Sequence, residues 1–462
     1  MFIEIDKEKK TAVWRQIYEQ LAEKILAGQY PGRYRLPATR QLAGDLHVPR
    51  NAVLEAYDQL QAEGYVVSRR GAGTYVKDDL WLEGSIKDPR GGTAGKPAVT
   101  TADVIDFRSG IPALDALPIR RWGMLYRRVC MEASLPALSY MEPDACRVLQ
   151  EALAQRLARM RGIRCEPEQI AITNGAVHAI ALLARVLLGE GRTAIVEDPV
   201  TVDIPRILST GGARIVAIPT DDAGLRVQDL PRDIDASLIY VIPSHQFPMG
   251  SILPVDRRLE LIQYAREHDA WIVEDDYDSE YRYDGAPIQS MQRLAPERVI
   301  YLGTFSKTLF PALRIGYAVL PPPLIASFTE WIRLTMIHLP SLEQMTLAAF
   351  LSEGYMDQHL RRMSRLYKRR RACLIGFLRD AFGSRVRVLG AAAGLHLVAA
   401  FRDAVFDEPC LARIKDAGVS IYPVETHALA KGRHTHEIIL GYGNVSEAEI
   451  REGVQRLKSA LS

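Results

Sequence analysis

The chain has 462 residues, 48% of them hydrophobic and 25% charged, with 58 basic against 56 acidic side chains and a net charge of +2. That is the composition of a globular protein with about three domain-sized units at roughly 150 residues each, and it excludes a collagenous, coiled-coil or disordered chain. The charged stretch Met1–Lys10 lacks the apolar core of a signal peptide, and the most apolar helical stretch, Ala179–Leu188, is short and contains Arg185, so neither secretion nor a membrane span is expected. Five cysteines, odd in number and never spaced C-x-x-C, argue against a disulfide framework and a structural zinc site. A cytoplasmic protein without a metal centre is expected.

Residues 1–77 hold 12 basic and 9 acidic side chains, a surplus of three. Ile17, Leu21 and Ile25 share a helical face that ends at Gly28. A second helix is predicted over Thr39–Leu46, then a turn at His47-Val48-Pro49, then a third over Arg50–Glu63 with Val53, Ala56, Tyr57 and Leu60 on one face. Strands are predicted at Tyr65–Ser68 and Thr74–Lys77, joined by a glycine-rich tip, Arg69-Arg70-Gly71-Ala72-Gly73. Helix, helix-turn-helix and two-stranded wing form a winged helix-turn-helix pattern. The third helix leaves Arg50 and Asn51 at its exposed start, where recognition helices reach base edges. Arg69 and Arg70 at the wing tip suit backbone or minor-groove contact. The same shape also serves as a protein–protein module, so the basic face by itself leaves both uses open.

Residues 78–103 are rich in Gly, Pro and Thr with few core residues, which predicts a linker. From residue 104 to 462, strand-like runs alternate with helical patterns, as in an α/β domain. Ile170–Thr173 leads through Asn174-Gly175-Ala176 into an apolar helix, whose free amides offer a phosphate cradle, although many such turns hold no phosphate. Ala270–Val273 reads as a buried strand running into Glu274-Asp275-Asp276-Tyr277; acids there sit where α/β sheets bind ligands, or begin a helix. Val299–Leu302 runs into Gly303-Thr304-Phe305-Ser306-Lys307, with Arg314 seven residues on. A lysine in such a turn is usually a surface charge, but one desolvated beside another cation becomes a Schiff-base nucleophile. Thr304, Ser306 and Arg314 are suited to a phosphate.

The wording adds to the shape. Leu36-Pro37-Ala38-Thr39-Arg40-Gln41-Leu42-Ala43, Val48-Pro49-Arg50-Asn51, Glu63-Gly64-Tyr65 and Gly71-Ala72-Gly73-Thr74-Tyr75-Val76 resemble the GntR-family DNA-binding domain across nearly all of residues 11–77. The resemblance implies DNA contacts at Arg40 and Arg50, with wing glycines Gly71 and Gly73. Residues 104–460 resemble fold-type I enzymes of the class I/II aminotransferase group, dependent on pyridoxal 5'-phosphate (PLP), through S-K-x-x-x-P-x-x-R-x-G at Ser306–Gly316 and through Glu274–Tyr277. The phrase Ser244-His245-Gln246-Phe247-Pro248-Met249-Gly250, joined to a GntR domain, resembles the MocR/GabR subfamily of transcription regulators.

Carried over by motif, the resemblance implies that Lys307 forms the Schiff base with PLP, Asp275 pairs the pyridine nitrogen and Tyr277 meets the ring 3-oxygen. Gly175, Ala176, Thr304 and Arg314 would hold the phosphate. The expectation is a PLP-dependent regulator, a homodimer on a double-stranded DNA operator, that senses PLP, an amine or an amino acid. The alternative is a working aminotransferase with an accessory DNA-binding module. The missing carboxylate arginine and the N-terminal domain favour the regulator, and three departures from the aminotransferase pattern stand out. Phe247 stands where aminotransferases carry Asn, leaving His245 or Gln246 to replace it. Val200–Asp203 lacks the usual ligand contacts, and no arginine stands in His436–Gly443, Arg433 being the nearest.

Overall fold

A computed structural model of the chain describes residues 3–6, 9, 11–69, 73–78, 104–140, 147–285 and 288–462. The chain divides into two compact units, Met1–Thr100 and Thr101–Ser462. All of the expected linker except Asp78 lies outside the described residues, as do Arg70, Gly71 and Cys146.

In the first unit α1 (Val13–Leu26), α2 (Thr39–Leu46) and α3 (Arg50–Ala62) precede the strands β1 (Val66–Arg69) and β2 (Gly73–Val76). Ile17, Leu21, Ile25, Leu42, Val53, Ala56, Leu60, Val66 and Val76 make one buried core, which is the helical stripe read from the sequence plus one inward residue from each strand. His47 closes α2 in the left-handed region, with φ 54°, and Pro49 caps α3. The wing is shifted by one residue from expectation: Arg69 pairs with Gly73 inside the ladder rather than at the tip. Gly73 permits this because φ there is +112° and a Cβ would lie 3.0 Å from Nε of Arg35.

The second unit carries α4 (Ile119–Glu132), α5 (Arg147–Arg161) and α6 (Gly175–Leu187). Its strands are β3 (Ile105–Asp106), β4 (Ile170–Thr173), β5 (Thr193–Asp198), β6 (Arg214–Asp221), β7 (Gly224–Leu225), β8 (Ala236–Val241), β9 (Trp271–Asp276), β10 (Val299–Thr304), β11 (Gly316–Val319), β12 (Val386–Leu389), β13 (His396–Phe401), β14 (Val419–Ser420), β15 (Tyr422–Pro423) and β16 (Glu437–Gly441). An eight-stranded sheet runs β4-β11-β10-β9-β8-β5-β6-β7. From β10 to β6 it is parallel, while β11 is antiparallel to both neighbours. Helices cover both faces of such a sheet, so its central strands are apolar runs rather than alternating ones, as Ala194, Ile195, Val196, Leu238, Ile239, Tyr240 and Val241, all buried, illustrate. A second sheet, β12-β13-β16-β15, packs with the long helix Tyr355–Phe382 and the terminal helix Glu447–Ala460 in one hydrophobic cluster.

Three element limits differ from expectation. α6 begins at Gly175, four residues before the apolar run at Ala179, because the glycine's positive φ (+78°) turns the chain straight from β4 into the helix. β9 and β10 continue two or three residues into polar sequence, to Asp276 and Thr304. Parallel pairing keeps their ends level, Leu302 beside Asp275 and Gly303 beside Asp276. The acids at Glu274–Asp276 are therefore strand residues rather than the start of a helix.

Candidate functional site

Side chains alternate along a strand, and at the end of β9 this separates three neighbouring acids. Glu274 and Asp276 share one face and are saturated there. Glu274 accepts from Ser290 Oγ at 2.5 Å and from the amides of Met291 and Gln292 at 3.0 and 2.9 Å. Asp276 is paired with buried Arg161 and accepts from the Tyr301 hydroxyl at 2.6 Å. Asp275 projects to the other face. One of its oxygens accepts from the Tyr240 hydroxyl, and the other, Oδ1, is buried without a partner. Burial raises its pKa to about 6; Asp276 pushes the same way, while the Tyr240 bond and the positive charge of Lys307 oppose it.

Lys307 sits in the turn after β10, where its Nζ donates to the carbonyl of Gly110 at 2.9 Å. Gly110 has φ +73°, and a Cβ there would lie 2.7 Å from Nζ, so only glycine leaves the amine its place. Burial lowers the lysine pKa; Asp278 and Asp275 oppose that, and Arg108 and Arg314 add to it. The result is an amine more easily freed of its proton, as a carbonyl-capturing nucleophile requires.

A third feature lies at the ends of β4, β11 and β10, where register sets Thr173, Gly316 and Thr304 side by side. The first amides of α6, at Gly175 and Ala176, have no intrahelical partner. Arg314 donates to the Asn174 carbonyl at 2.7 Å, and its guanidinium lies 3.0–3.3 Å from where a Cβ on Gly175 would be. Thr304 Oγ1 accepts from the Ser306 amide at 3.2 Å and donates to Ser306 Oγ at 3.1 Å. Helix amides, two hydroxyls and a guanidinium thus converge, the donor set of an oxyanion or phosphate site.

The loop between β8 and the helix Val255–Glu267 separates the two candidates to replace the missing asparagine. Gln246 is committed to its own loop and to the turn after β5: Nε2 donates to the carbonyls of Pro199 and Phe247 at 2.7 and 2.9 Å, and Oε1 accepts from the Met249 amide at 3.0 Å. His245 instead meets Tyr277, whose hydroxyl is 3.2 Å from His245 Nδ1 and 3.1 Å from its carbonyl. Burial raises the pKa of Tyr277 well above the ordinary phenol range. Near the C-terminus Arg433 is exposed, and Glu437, on β16, binds His434 at 2.6 Å.

The structure brings Lys307 and Asp275 to one end of the sheet, Lys307 in the turn that follows β10 and Asp275 on β9, the strand paired with it. It also groups Gly175 with Arg314 and Thr304 with Ser306. Sequence reasoning missed Tyr240 and Asp278. Tyr240 carried no local signal, since its role follows from β8 pairing with β9. Asp278, three residues beyond Asp275, lay in the same acidic run and was passed over.

In the first unit Arg40, Arg50 and Asn51 are all exposed on α2 and the start of α3. Arg50 Nε donates to Thr39 Oγ1 at 3.4 Å, bridging the two helices. Arg69 lies over the Tyr75 ring at 5.5 Å. Arg50 and Asn51 face solvent at the N-terminal end of a recognition-type helix, with Arg40 exposed on α2 and Arg69 exposed on the wing.

A winged helix with exposed arginines, joined in one chain to a fold-type I sheet with a half-buried lysine in the turn after β10, defines a DNA-binding regulator carrying an aminotransferase-like domain. Comparison with known proteins agrees. Residues 14–76 match the bacterial regulatory proteins of the gntR family, and residues 102–457 match aminotransferase class I and II. The chain is 38% identical to the probable rhizopine catabolism regulatory protein MocR of Rhizobium meliloti, over 99% of this chain and 95% of that one. It is 31% identical to the pyridoxine biosynthesis transcriptional regulator PdxR of Corynebacterium glutamicum, over 100% and 98%. A multiple substrate aminotransferase from Thermococcus profundus superposes with a TM-score of 0.72 at 28% identity, covering 78% of this chain and 92% of that one. The chain belongs to the MocR/GabR subfamily of GntR-type transcription regulators. Among the described residues, no helix is long and apolar enough to cross a membrane.

Proposed function

We propose that the second unit binds PLP at Lys307 and that its occupancy, by PLP alone or with an amine or amino acid, governs operator binding by the first unit. The observation that carries this is Asp275: a buried carboxylate with an unpartnered oxygen, on the same sheet edge as the half-buried Lys307. A cationic ring nitrogen is the partner such an oxygen lacks. The rest of the site fits the same group, with Gly175, Ala176, Thr304 and Arg314 for its phosphate, Tyr277 for its ring oxygen and Lys307 for its carbonyl. PLP, once bound, supplies an electron-withdrawing ring and a carbonyl that exchanges amines. Asp275 holds a proton at the ring nitrogen, Lys307 presents an amine that loses its proton more readily than an ordinary lysine, and Tyr240 fixes the orientation of the carboxylate.

Regulation, rather than completed transamination, is supported by the lack of an arginine in His436–Gly443 to anchor a substrate carboxylate; Glu437 in that stretch is paired with His434. Arg40, Arg50, Asn51, Gly73 and, outside the described residues, Arg70 and Gly71 are proposed as the DNA-contacting set, acting in the cytoplasm. A homodimer is proposed because Met131, Leu135 and Tyr140 are 81, 84 and 85% exposed, a concentration of bare apolar side chains that a second copy would cover. The domain limits proposed are 11–77 and 104–462, with 78–103 as the link between them.

The test is the visible spectrum of the purified chain with added PLP, before and after borohydride. A band that disappears on reduction and is absent in Lys307→Ala supports the reading. No band at saturating PLP, or an unchanged band in Lys307→Ala, overturns it. Turnover of candidate amino acids with release of keto acid would favour the aminotransferase instead.

A further inference from the structure

His245 is surrounded by acceptors. Its Nδ1 lies 3.0 and 3.2 Å from the two oxygens of Asp278, and its Nε2 lies 3.2 Å from the carbonyl oxygen of Gly390. A carbonyl oxygen only accepts, and so does an ionised carboxylate. A neutral imidazole has one N–H and would leave one of these contacts as two facing lone pairs. Both His245 and Asp278 are 1% exposed, so water does not mediate. The arrangement is satisfied when both ring nitrogens carry protons, giving a buried imidazolium–carboxylate pair.

The neighbouring histidine is of the opposite kind. His396 donates through Nε2 to the Pro248 carbonyl at 3.0 Å, and its ring stands 4.9 Å from that of His245. Burial lowers its pKa to about 4, and the charge on His245 works the same way. For His245, burial and Arg282 push its pKa down, but Asp278 and the Gly390 carbonyl more than offset them and the net shift is upward. His245, Asp278 and His396 together have the donor types of a metal site. With both nitrogens of His245 engaged by acceptors, the imidazolium itself holds the cation's place.

We infer that His245 is a positioning residue, held as a permanent imidazolium by Asp278 and Gly390, and that this cation fixes Tyr277 and stabilises negative charge on the ring oxygen of a bound cofactor. The inference rests on the PLP reading for its second half only. Nδ1–H, shared between Asp278 and the phenol oxygen 3.2 Å away, leaves Tyr277 one proton to give. In the unloaded chain that proton goes to the His245 carbonyl; a ligand oxygen placed there would compete for it. Gly394 allows the close packing, since any Cβ on it would collide with both His245 and Asp278. The histidine thus replaces a neutral amide by a charge.

The charge is tested first on the full, unloaded chain labelled with 15N-histidine, with His245→Gln assigning the signals. Both nitrogens protonated through neutral pH and above the ordinary histidine range, near 6.5, is the expected result. One unprotonated nitrogen at pH 7 overturns the inference. The role is tested by titrating the visible band of the PLP-loaded chain. Removing a cation disfavours the deprotonated, more anionic chromophore, so the midpoint in His245→Gln rises by about one unit or more. The paired variant His245→Gln/Asp278→Asn also removes the Asp278 anion that holds Lys307 up, so its midpoint falls below that of His245→Gln. An unchanged midpoint in folded His245→Gln overturns the positioning role. Absence of any band in the wild type overturns the PLP reading and that role together, while the nitrogen signals still decide the charge.

Discussion

Replacing Gly175 by alanine places a methyl group where the Arg314 guanidinium now packs. The backbone there has φ +78°, a conformation that costs an L-residue about 1–2 kcal/mol. The new Cβ would lie 3.0, 3.2 and 3.3 Å from Nη2, Cζ and Nη1 of Arg314. Being the far end of a flexible side chain, the guanidinium retreats, and its 2.7 Å bond to the Asn174 carbonyl is lost with it. One charge-assisted hydrogen bond to a phosphate contributes about 1.5–3 kcal/mol, which is about 10- to 100-fold in affinity at 1.4 kcal/mol per decade. A PLP titration of Gly175→Ala, followed by absorbance, should therefore show a Kd raised by that factor. Gly189→Ala, whose Cβ meets nothing within 4 Å, should bind as the wild type does. An unchanged Kd in folded Gly175→Ala would refute the assignment of Arg314 and α6 to the phosphate.

Asp275 titrates at about 6 in the unloaded fold against about 4 in an unfolded chain. A carboxyl raised in the fold stabilises it fully below pH ~4, and that stability is lost as pH rises through 6, about 3 kcal/mol in all. Thermal melts of Asp275→Asn across this window should lose that slope and lie above the wild type beyond pH 6; a retained slope would assign it to other groups. Arg50→Ala should weaken binding to a selected operator by about 1–3 kcal/mol, read by fluorescence anisotropy. Arg40→Ala, if it meets phosphate, should flatten the salt dependence by about one unit of slope; an unaltered slope would exclude that contact. Leu60→Ala, fully buried between α1 and the wing, should destabilise the first unit by about 2–5 kcal/mol, visible as a lower-temperature melt.

Much of this was legible from spacing. The stripe Val53, Ala56, Tyr57 and Leu60 is the buried face of α3, and Lys307, Asp275 and Arg314 fall at strand ends because apolar runs of four to six residues stop there. What was not legible depends on pairing across strands. Whether Asp275 or its neighbours faced the lysine was a matter of pleat parity, which is set by the β9–β10 register and not by the acidic run itself. Tyr240 reaches Asp275 only because β8 lies beside β9. The choice between His245 and Gln246 was likewise undecidable in the sequence, since both carry nitrogen donors. The glutamine spends its amide on Pro199, 47 residues away, while the histidine finds Asp278, 33 residues away. The wing strands sit one residue nearer the tip than their propensity indicates, since Gly73, packed by Arg35, joins the ladder opposite Arg69.

The unloaded site is at odds with itself, and this bears on how a regulator would use it. Asp275 keeps an unpartnered oxygen, burial and Asp275 raise the Glu197 pKa to about 8 despite bonds from Ile242 and Gln246, and burial depresses Lys307. Each is an ionisable group held in the less favourable state by burial, at the carboxyl edge of one sheet. A ligand bringing a cationic ring nitrogen, a carbonyl and a phosphate relieves several of these costs at once, so loading must stabilise the second unit strongly. Strong stabilisation is still not regulation. A ligand that binds two operator-affinity states equally shifts neither, and moving a population from 1:99 to 99:1 takes about a ten-thousand-fold difference in ligand affinity. The relief at Asp275 is common to any arrangement in which the sheet is intact. The discriminating contacts must then come from groups whose position changes with occupancy. Lys307, tied to Gly110 on the segment leading out of β3, and Tyr277, whose proton goes either to the His245 carbonyl or to the ligand, are two such groups among the described residues. On the proposed reading Lys307 exchanges its bond to Gly110 when its nitrogen is used, while Ile105–Phe107 stay held by the β3–β14 pairing and by the Gly441 amide; the turn at Gly110 is therefore where a difference in binding energy can become a local difference in arrangement.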